Sequence, residues 1–156
     1  MTALTTDRAA TTTGRVDELL DPRGPQFAAA LTTVVLAAVL LVAPSPLGVG
    51  LLVAQTLVFA LGAGLGVRAT PYAWLFRTFV RPRLGAPAEL EDARPPRFAQ
   101  SVGLGFALVG LVGYLTGLTL LGQIAVGLAL VAALLNAAFA FCLGCEIYLL
   151  AKRLTA

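Results

Sequence analysis

The chain has 156 residues, of which 58% are apolar and 12% are charged, and its formal net charge is +3. Its mean hydropathy is +0.89, whereas a soluble domain is usually about one quarter charged, which excludes an ordinary soluble protein. With two Cys and no His, a zinc or haem site built by this chain alone is not expected, since such sites need several donors.

The first 26 residues are polar and mix acidic with basic side chains. This composition predicts a flexible cytoplasmic tail over residues 1–26. A cleaved signal peptide is the alternative. The long charged stretch before the apolar run argues against it, as do Pro44 and Pro46 where small cleavage-site residues would stand.

Four apolar runs predict an all-α membrane protein with a membrane domain over residues 27–151. The expected spans are about 27–43, 48–67, 98–116 and 124–146. Short uncharged turns join the first span to the second and the third to the fourth, which indicates two antiparallel hairpins in contact with the lipid bilayer.

The fourth apolar run continues to Leu150, which is longer than the roughly 20 residues that a span requires. It must therefore tilt, project from the bilayer or break. Gly144 is the residue at which we expect a break, since glycine disfavours a continuous helix. A break there would leave a short separate helix that begins at Cys145.

The loop over residues 68–97 contrasts with the spans because it carries both acidic and basic residues. Its arginines are Arg68, Arg77, Arg81, Arg83, Arg94 and Arg97. They are candidates for docking anionic lipid or an acidic partner. Within it, residues 71–81 place Trp74 among other aromatic and basic side chains, which predicts a helix at the lipid headgroup level. The alternative is that this segment extends the second span beyond the lipid.

The basic residues are distributed unevenly along the chain. Of 11 Lys and Arg, three precede the first span, six lie in the loop, two follow the fourth span and none lies in the short turns. The positive-inside rule then places both termini and the loop of this multi-pass membrane protein in the cytoplasm.

The two predicted hairpins begin with similar sequences. Arg-Gly-Pro-Gln-Phe-Ala (23–28) and Arg-Pro-Pro-Arg-Phe-Ala (94–99) match at four of six positions, at an offset of 71 residues. This similarity favours a parallel 2+2 duplication. Two independent helix starts are the alternative, because Pro suits the first helical turn.

Cys142 and Cys145 form a C-x-x-C pair next to Glu146, the only ionisable residue inside an apolar run. Residues three apart on a helix are close enough for a disulfide, and a carboxylate at membrane depth usually has a function. These three residues are the candidate catalytic site. The alternatives are two small buried hydrophobic residues and a headgroup-level carboxylate that pairs with Arg68 or Arg77.

The position of the fourth helix decides the reactivity expected of the thiols. At the C-terminal end of an unbroken helix, the helix dipole and Glu146 would both disfavour a thiolate. A break would place Cys145 at a helix N-terminus, which favours the thiolate. Elsewhere in the spans, Gln55 and Asn136 are expected to form hydrogen bonds across the bundle or to line a polar path.

Three blocks of the sequence resemble a known family. They are Arg-Pro-Arg-Leu-Gly (81–85), Glu-Asp-Ala-Arg-Pro-Pro-Arg-Phe-Ala-Gln (91–100) and Phe-Cys-Leu-Gly-Cys-Glu-Ile-Tyr (141–148). The chain is similar over residues 20–152 to bacterial membrane proteins of the domain of unknown function 4395 family. That resemblance implies a location in a bacterial inner membrane, and it implies that the Arg-Pro-Pro-Arg-Phe and Cys-x-x-Cys-Glu blocks are family features. It also makes a thioredoxin-like or rhodanese-like protein a candidate partner.

Three functions are consistent with these features. The first is thiol redox or sulfur handling, in which a cytoplasmic partner docks on the six loop arginines and Glu146 tunes the cysteines. The second is an oligomeric transporter, or a subunit of one, for a sulfur anion or a soft metal ion. The third is a membrane scaffold for a soluble partner. No nucleic acid is expected as a partner in any of them, and the sequence assigns no cofactor.

Overall fold

A computed structural model of the chain describes residues 19–156. The fold is almost entirely helical, and four of its helices are long and apolar enough to cross a membrane, which confirms the predicted fold class. The tail prediction for residues 1–18 lies outside the described part. Residues 19–26, which were expected to belong to that tail, form a short strand and the first turn of a helix.

The described chain contains two short strands and six α-helices. In chain order they are β1 (Leu19–Leu20), α1 (Arg23–Val42), α2 (Pro46–Gly64), α3 (Pro71–Leu75), β2 (Glu91–Asp92), α4 (Arg94–Leu115), α5 (Thr119–Phe139) and α6 (Leu143–Thr155). A π turn over Phe76–Val80 and a 3-10 turn over Arg81–Arg83 continue α3. We call the helical stretch over residues 71–83 the loop helix.

The four long helices form one closed bundle. Helix α1 packs against α2 and α5, and α4 packs against the same two helices. The centre is dry, with Leu36, Val39, Leu52 and Val126 completely buried. The outer surface is also apolar, as expected for helices that face lipid rather than water.

Glycines allow the closest helix contacts in the bundle. A Cβ atom on Gly113 of α4 would lie 2.5 Å from the backbone N of Gly122 in α5, so neither position accepts a side chain. Gly62 and Gly66 form a G-x-x-x-G pattern, and a Cβ atom on Gly62 would lie 2.8 Å from Gln100 Cγ of α4. This face of α2 is therefore used within the chain.

The starts of α1 and α4 have the same geometry. Asp21 Oδ1 accepts a hydrogen bond from the Arg23 backbone N at 3.0 Å, and Asp92 Oδ1 accepts one from the Arg94 backbone N at 2.9 Å. The same arginine side chains also bond these carboxylates. Both aspartates and both arginines are 71 residues apart.

The strands that precede these two helices pair with each other in antiparallel fashion. Leu20 lies opposite Glu91, and these residues are also 71 positions apart. Two equivalent residues face each other in this way when a two-fold axis relates the segments that carry them. The register therefore favours the predicted duplication.

The fourth apolar run is divided into two helices. Helix α5 ends at Phe139, seven residues before the expected end of the span, and α6 begins at Leu143. Ala140 has a left-handed backbone with a φ of 53°, and the Phe141 N–H donates to the Leu135 carbonyl at 3.3 Å. The chain thus breaks at residues 140–142.

Gly144, where the break was expected, lies inside the first turn of α6. A Cβ atom at this position would lie 2.6 Å from Ala99 Cβ and 2.8 Å from its Cα. The missing side chain is therefore required for the contact between α6 and α4. It does not end a helix.

Candidate functional site

The candidate site lies where α6 packs against the start of α4. Gly144 meets Ala99, and the Tyr148 ring lies 5.6 Å from the Phe98 ring, measured between centroids. These contacts hold the first two turns of α6 beside the second turn of α4. Helix α6 is too short to cross a bilayer.

Cys142 and Cys145 form a disulfide at the beginning of α6, and their Cα atoms are 5.2 Å apart. Cys142 is the N-cap residue of the helix. Its Sγ accepts a hydrogen bond from the Cys145 backbone N at 3.3 Å. Both residues are partly exposed, so neither is a fully buried hydrophobic residue.

The depth of the pair follows from its neighbours on α4. Helix α4 has 22 residues and is about 33 Å long, close to the hydrocarbon thickness of about 30 Å. Ala99, which faces Gly144, lies about 7.5 Å along the axis from Arg94 at about 1.5 Å per residue. The disulfide is therefore placed at the edge of the apolar layer if α4 spans it.

Glu146 lies in the first turn of α6, and its side chain is exposed. Its backbone N donates to the Cys142 carbonyl at 3.0 Å. Its carboxylate makes no ion pair with any residue of 19–156, so the alternative in which it pairs with Arg68 or Arg77 does not occur there. The structure thus brings Glu146 next to the disulfide but away from the loop arginines.

Most of the six loop arginines have structural partners. Arg97 donates to the carbonyls of Ala63 at 2.8 Å and Gly64 at 2.7 Å, which satisfies the C-terminal end of α2. Arg68 donates to the Leu19 carbonyl, and Arg83 donates to the Phe79 carbonyl.

Arg94 pairs with Asp92 at 2.9 Å. In the part of the chain that the structure describes, the side chains of Arg77 and Arg81 donate no hydrogen bond. Arg77 and Arg81 therefore keep all their side-chain donors available for a partner or for lipid.

The two aspartates that precede α1 and α4 also have the same electrostatic surroundings. Partial burial raises the pKa of Asp92, but the hydrogen bonds and charge of Arg94, together with the charge of Lys152, lower it below its ordinary value of 3.8. The same balance, with Arg23 and Arg81, lowers the pKa of Asp21. Lys152, in the later part of α6, thus acts on the aspartate that precedes α4.

Gln55 and Asn136 have different surroundings. The Gln55 side chain is buried, donates to Thr32 Oγ1 at 3.4 Å and accepts from the Tyr72 hydroxyl at 2.7 Å. It thus links α1, α2 and the loop helix. Asn136 lies in the last turn of α5 rather than in mid-span, and its side chain has no hydrogen bond within residues 19–156.

Sequence reasoning did not find Tyr72 as the partner of Gln55, because the loop position of Tyr72 gives no sign that it reaches the bundle. Burial raises the pKa of Tyr72, which keeps its hydroxyl a hydrogen-bond donor. Gln55, Asn136 and Glu146 therefore belong to three separate environments. In residues 19–156, no group of three or more Cys, Asp or Glu side chains is arranged to hold a metal ion.

A family model for a domain of unknown function, number 4395, matches residues 20–153. The chain belongs to this family. No curated protein and no solved structure matches the chain. The family match covers both sequence blocks that form the candidate site, residues 91–100 and 141–148. In the structure, Phe98 and Ala99 of the first block contact Tyr148 and Gly144 of the second.

Proposed function

We propose that this chain is a membrane-bound dithiol–disulfide exchange protein that acts at the cytoplasmic face through Cys142 and Cys145. The observation that carries the proposal is the position of the pair. The cysteines lie at disulfide distance, partly exposed, at the start of a short helix outside the four long ones.

The N-terminus of α6 provides the reactivity. In the reduced state, the positive end of the helix dipole favours a thiolate at the N-cap residue Cys142. The Cys145 backbone N–H, which already donates to Cys142 Sγ at 3.3 Å, stabilises the same negative charge. Cys142 is therefore the proposed nucleophile of the reduced pair, and Cys145 is the proposed resolving thiol.

The proposed reaction transfers two electrons and two protons. A thiolate of a partner dithiol attacks one sulfur of the Cys142–Cys145 disulfide, which forms a mixed disulfide and releases the other sulfur as a thiolate. The second partner thiol then attacks the mixed disulfide. The partner leaves as a disulfide, and the chain is left with two reduced cysteines.

A thioredoxin-like protein supplies such a dithiol, and the family resemblance is the reason for proposing it as the partner. Glu146 is the proposed proton acceptor in this scheme. Its exposed carboxylate lies one residue after Cys145 and one helical turn after Cys142, where it accepts a proton that a thiol releases during exchange.

Thiol trapping in membrane vesicles tests the proposal. We expect a membrane-impermeant maleimide to label both cysteines after reduction and neither after oxidation, and to do so in inverted vesicles but not in right-side-out ones. The Cys145→Ser variant should trap a mixed disulfide with a thioredoxin-like protein, while the Cys142→Ser control should trap much less. Thiols that stay reduced in the presence of an oxidant would exclude the proposal.

The alternative functions have less support. A transport path through Gln55, Asn136 and Glu146 is disfavoured because both ends of the Gln55 amide are already hydrogen-bonded within the bundle. A scaffold role would be supported by a soluble protein that cross-links to residues 68–97 and still does so in the Cys142→Ser/Cys145→Ser variant.

A further inference from the structure

One face of α6 is apolar and is covered by no other part of the described chain. Leu143, Ile147, Leu150 and Leu154 are 41%, 46%, 58% and 79% exposed. Their spacing of four, three and four residues places them along one side of the helix. We call these four residues the α6 stripe.

The other sides of α6 have different roles. Gly144 and Tyr148 pack against α4. Cys145 and Lys152 are seven residues, or about two turns, apart and so share a face. At about 100° per residue, that face lies almost opposite the α6 stripe.

The position of α6 along α4 places the whole helix at the membrane boundary. Its first turn contacts Ala99, in the second turn of α4, and Lys152 acts on Asp92, just before α4 begins. Helix α6 therefore stays beside the outermost turns of α4. That layer corresponds to the headgroups and the adjoining edge of the hydrocarbon core.

The loop helix is the counterpart of α6 in the first half of the chain. Both cover 13 residues. The Thr70 Oγ1 accepts from the Ala73 backbone N, just as the Cys142 Sγ accepts from Cys145. Phe76 packs against Phe27 at a ring separation of 5.8 Å, which is equivalent to the contact between Tyr148 and Phe98.

The loop helix also has an exposed apolar side. Trp74 and Phe79 are 54% and 50% exposed and contact each other edge to face at 6.1 Å. Basic residues flank both apolar sides. They are Arg77, Arg81 and Arg83 on the loop helix and Arg153 on α6.

We propose that α6 and the loop helix form a pair of interfacial helices that bind the anionic headgroup layer of the membrane that the four long helices cross. The α6 stripe and the Trp74–Phe79 pair enter the acyl boundary, and the flanking basic residues contact lipid phosphate. Lipid is the occupant because both sides continue the outer surface of the bundle and because their polar flanks are basic.

This seating has a consequence for the disulfide. With the α6 stripe in lipid, the opposite face carries Cys145 and Lys152 toward water. A soluble thiol partner then reaches the pair from the aqueous side. The access of a thiol partner rests on the proposed redox function, whereas the binding of α6 to lipid does not.

Spin labelling of α6 in the full chain tests the seating. We attach a nitroxide after Leu150→Cys or Lys152→Cys in a Cys142→Ser/Cys145→Ser background, in vesicles of equal parts phosphatidylcholine and phosphatidylglycerol. The label at position 150 should collide several-fold more often with oxygen than with a water-soluble nickel complex, and the label at position 152 should show the reverse. Equal access of the nickel complex to both labels would overturn the proposal.

The charge contribution is tested by repeating the measurement at position 150 in pure phosphatidylcholine. The ratio of oxygen to nickel collisions should fall by at least about twofold when the anionic lipid is removed, since basic residues are attracted to an anionic surface. Adding Arg153→Gln should weaken this lipid dependence. A ratio that is unchanged by lipid charge would overturn the anionic preference.

Trp74 allows the same test on the unmodified protein, because it is the only Trp of the chain. Lipids brominated near the headgroup should quench its fluorescence more than lipids brominated at the acyl end. An emission that no brominated lipid quenches would overturn the seating of the loop helix. Strong dipolar coupling between labels at position 150 on two chains would overturn lipid as the occupant and indicate a second copy.

Both spin-label variants lack Cys142 and Cys145, and the Trp74 measurement does not depend on these two residues. The lipid experiments are therefore independent of the redox chemistry. A failure of thiol exchange with an intact lipid response would exclude the proposed function alone.

Discussion

The fourth apolar run breaks after Phe139, at Ala140. Sequence reasoning did not identify this position. Ala140 adopts a left-handed backbone, which costs a residue other than glycine on the order of 1 kcal/mol. The N–H groups of Ala140 and Phe141 both donate to the Leu135 carbonyl, which offsets this cost. Nothing in the side chain of an alanine indicates such a turn, so the break could not be located from sequence.

Gly144 was the expected breaker, but its role is to let α6 approach α4. We predict that Gly144→Ala lowers the stability of the protein by about 1–3 kcal/mol, because the new Cβ overlaps the backbone of Ala99. Thermal unfolding in detergent would measure this loss. The maleimide reactivity of the reduced cysteines should also change as the first turn of α6 moves.

Gly127→Ala is the matched control for this substitution. Gly127 also lies inside a helix, and a Cβ atom there would meet nothing within 4 Å. We expect this variant to be as stable as the parent or slightly more stable, since alanine favours a helix. Equal destabilisation by both substitutions would show that the contact with Ala99 is not what requires Gly144.

The starts of α1 and α4 are held by short carboxylate–guanidinium clamps rather than by ordinary N-cap side chains. Each aspartate precedes its helix. Its carboxylate accepts hydrogen bonds from the backbone N–H and the guanidinium of the arginine that begins the helix. A negative charge at a helix N-terminus is favourable. The clamps also bring β1 and β2 together at the same end of the bundle.

The clamp at Asp92 predicts a dependence of stability on pH. Its pKa in the folded protein is below the ordinary value of 3.8, because Arg94 and Lys152 outweigh the effect of partial burial. The stabilisation is therefore complete above that ordinary value and is lost as the pH falls through the folded pKa. We predict that Asp92→Asn reduces the loss of thermal stability seen in the parent on acidification below about pH 4.

Glu91→Gln is the control for this experiment. Glu91 is the neighbouring carboxylate and makes no ion pair within residues 19–156. Its removal should leave the acid-dependent loss of stability as steep as in the parent. If Asp92→Asn and Glu91→Gln gave the same pH profile, the clamp would not be the cause.

The apolar runs were sufficient to predict four long helices, because each run is close to the thickness of a bilayer. They were not sufficient to separate α6 from α5, since no charged residue lies between Ile124 and Cys145. Leu143, Ile147, Leu150 and Leu154 follow an amphipathic pattern. It could not be separated from the long apolar run that precedes it. The C-x-x-C pair and Glu146 were found from residue type alone, whereas the contacts of Gly144 and Tyr72 depend on packing.

The repeated features extend from one end of the chain to the other. Each half has a strand, an Asp-x-Arg clamp, two long helices and a 13-residue amphipathic segment. A basic residue of that segment acts on the aspartate of its own half, Arg81 on Asp21 and Lys152 on Asp92. Independent helix starts would not reproduce contacts so far apart in sequence, so the arrangement favours duplication of a single hairpin unit.

In a parallel repeat, both hairpins enter the membrane from the same side. The topology is therefore testable. If α4 spans the bilayer, Ala86 in the loop and Leu118 in the turn between α4 and α5 lie on opposite faces, and both are exposed. We predict that Ala86→Cys, in a Cys142→Ser/Cys145→Ser background, is labelled by an impermeant maleimide in inverted vesicles. Leu118→Cys in the same background should be labelled in right-side-out vesicles.

The direction of this result follows from charge. The loop and the chain end after α5 carry Lys and Arg, and the turns after α1 and α4 carry none, so we expect the basic side in the cytoplasm. Labelling of both positions from the same side would mean that α4 does not cross. The reverse pattern would keep the four crossings and the repeat but place the disulfide outside, where a periplasmic oxidant rather than a cytoplasmic dithiol would be its partner.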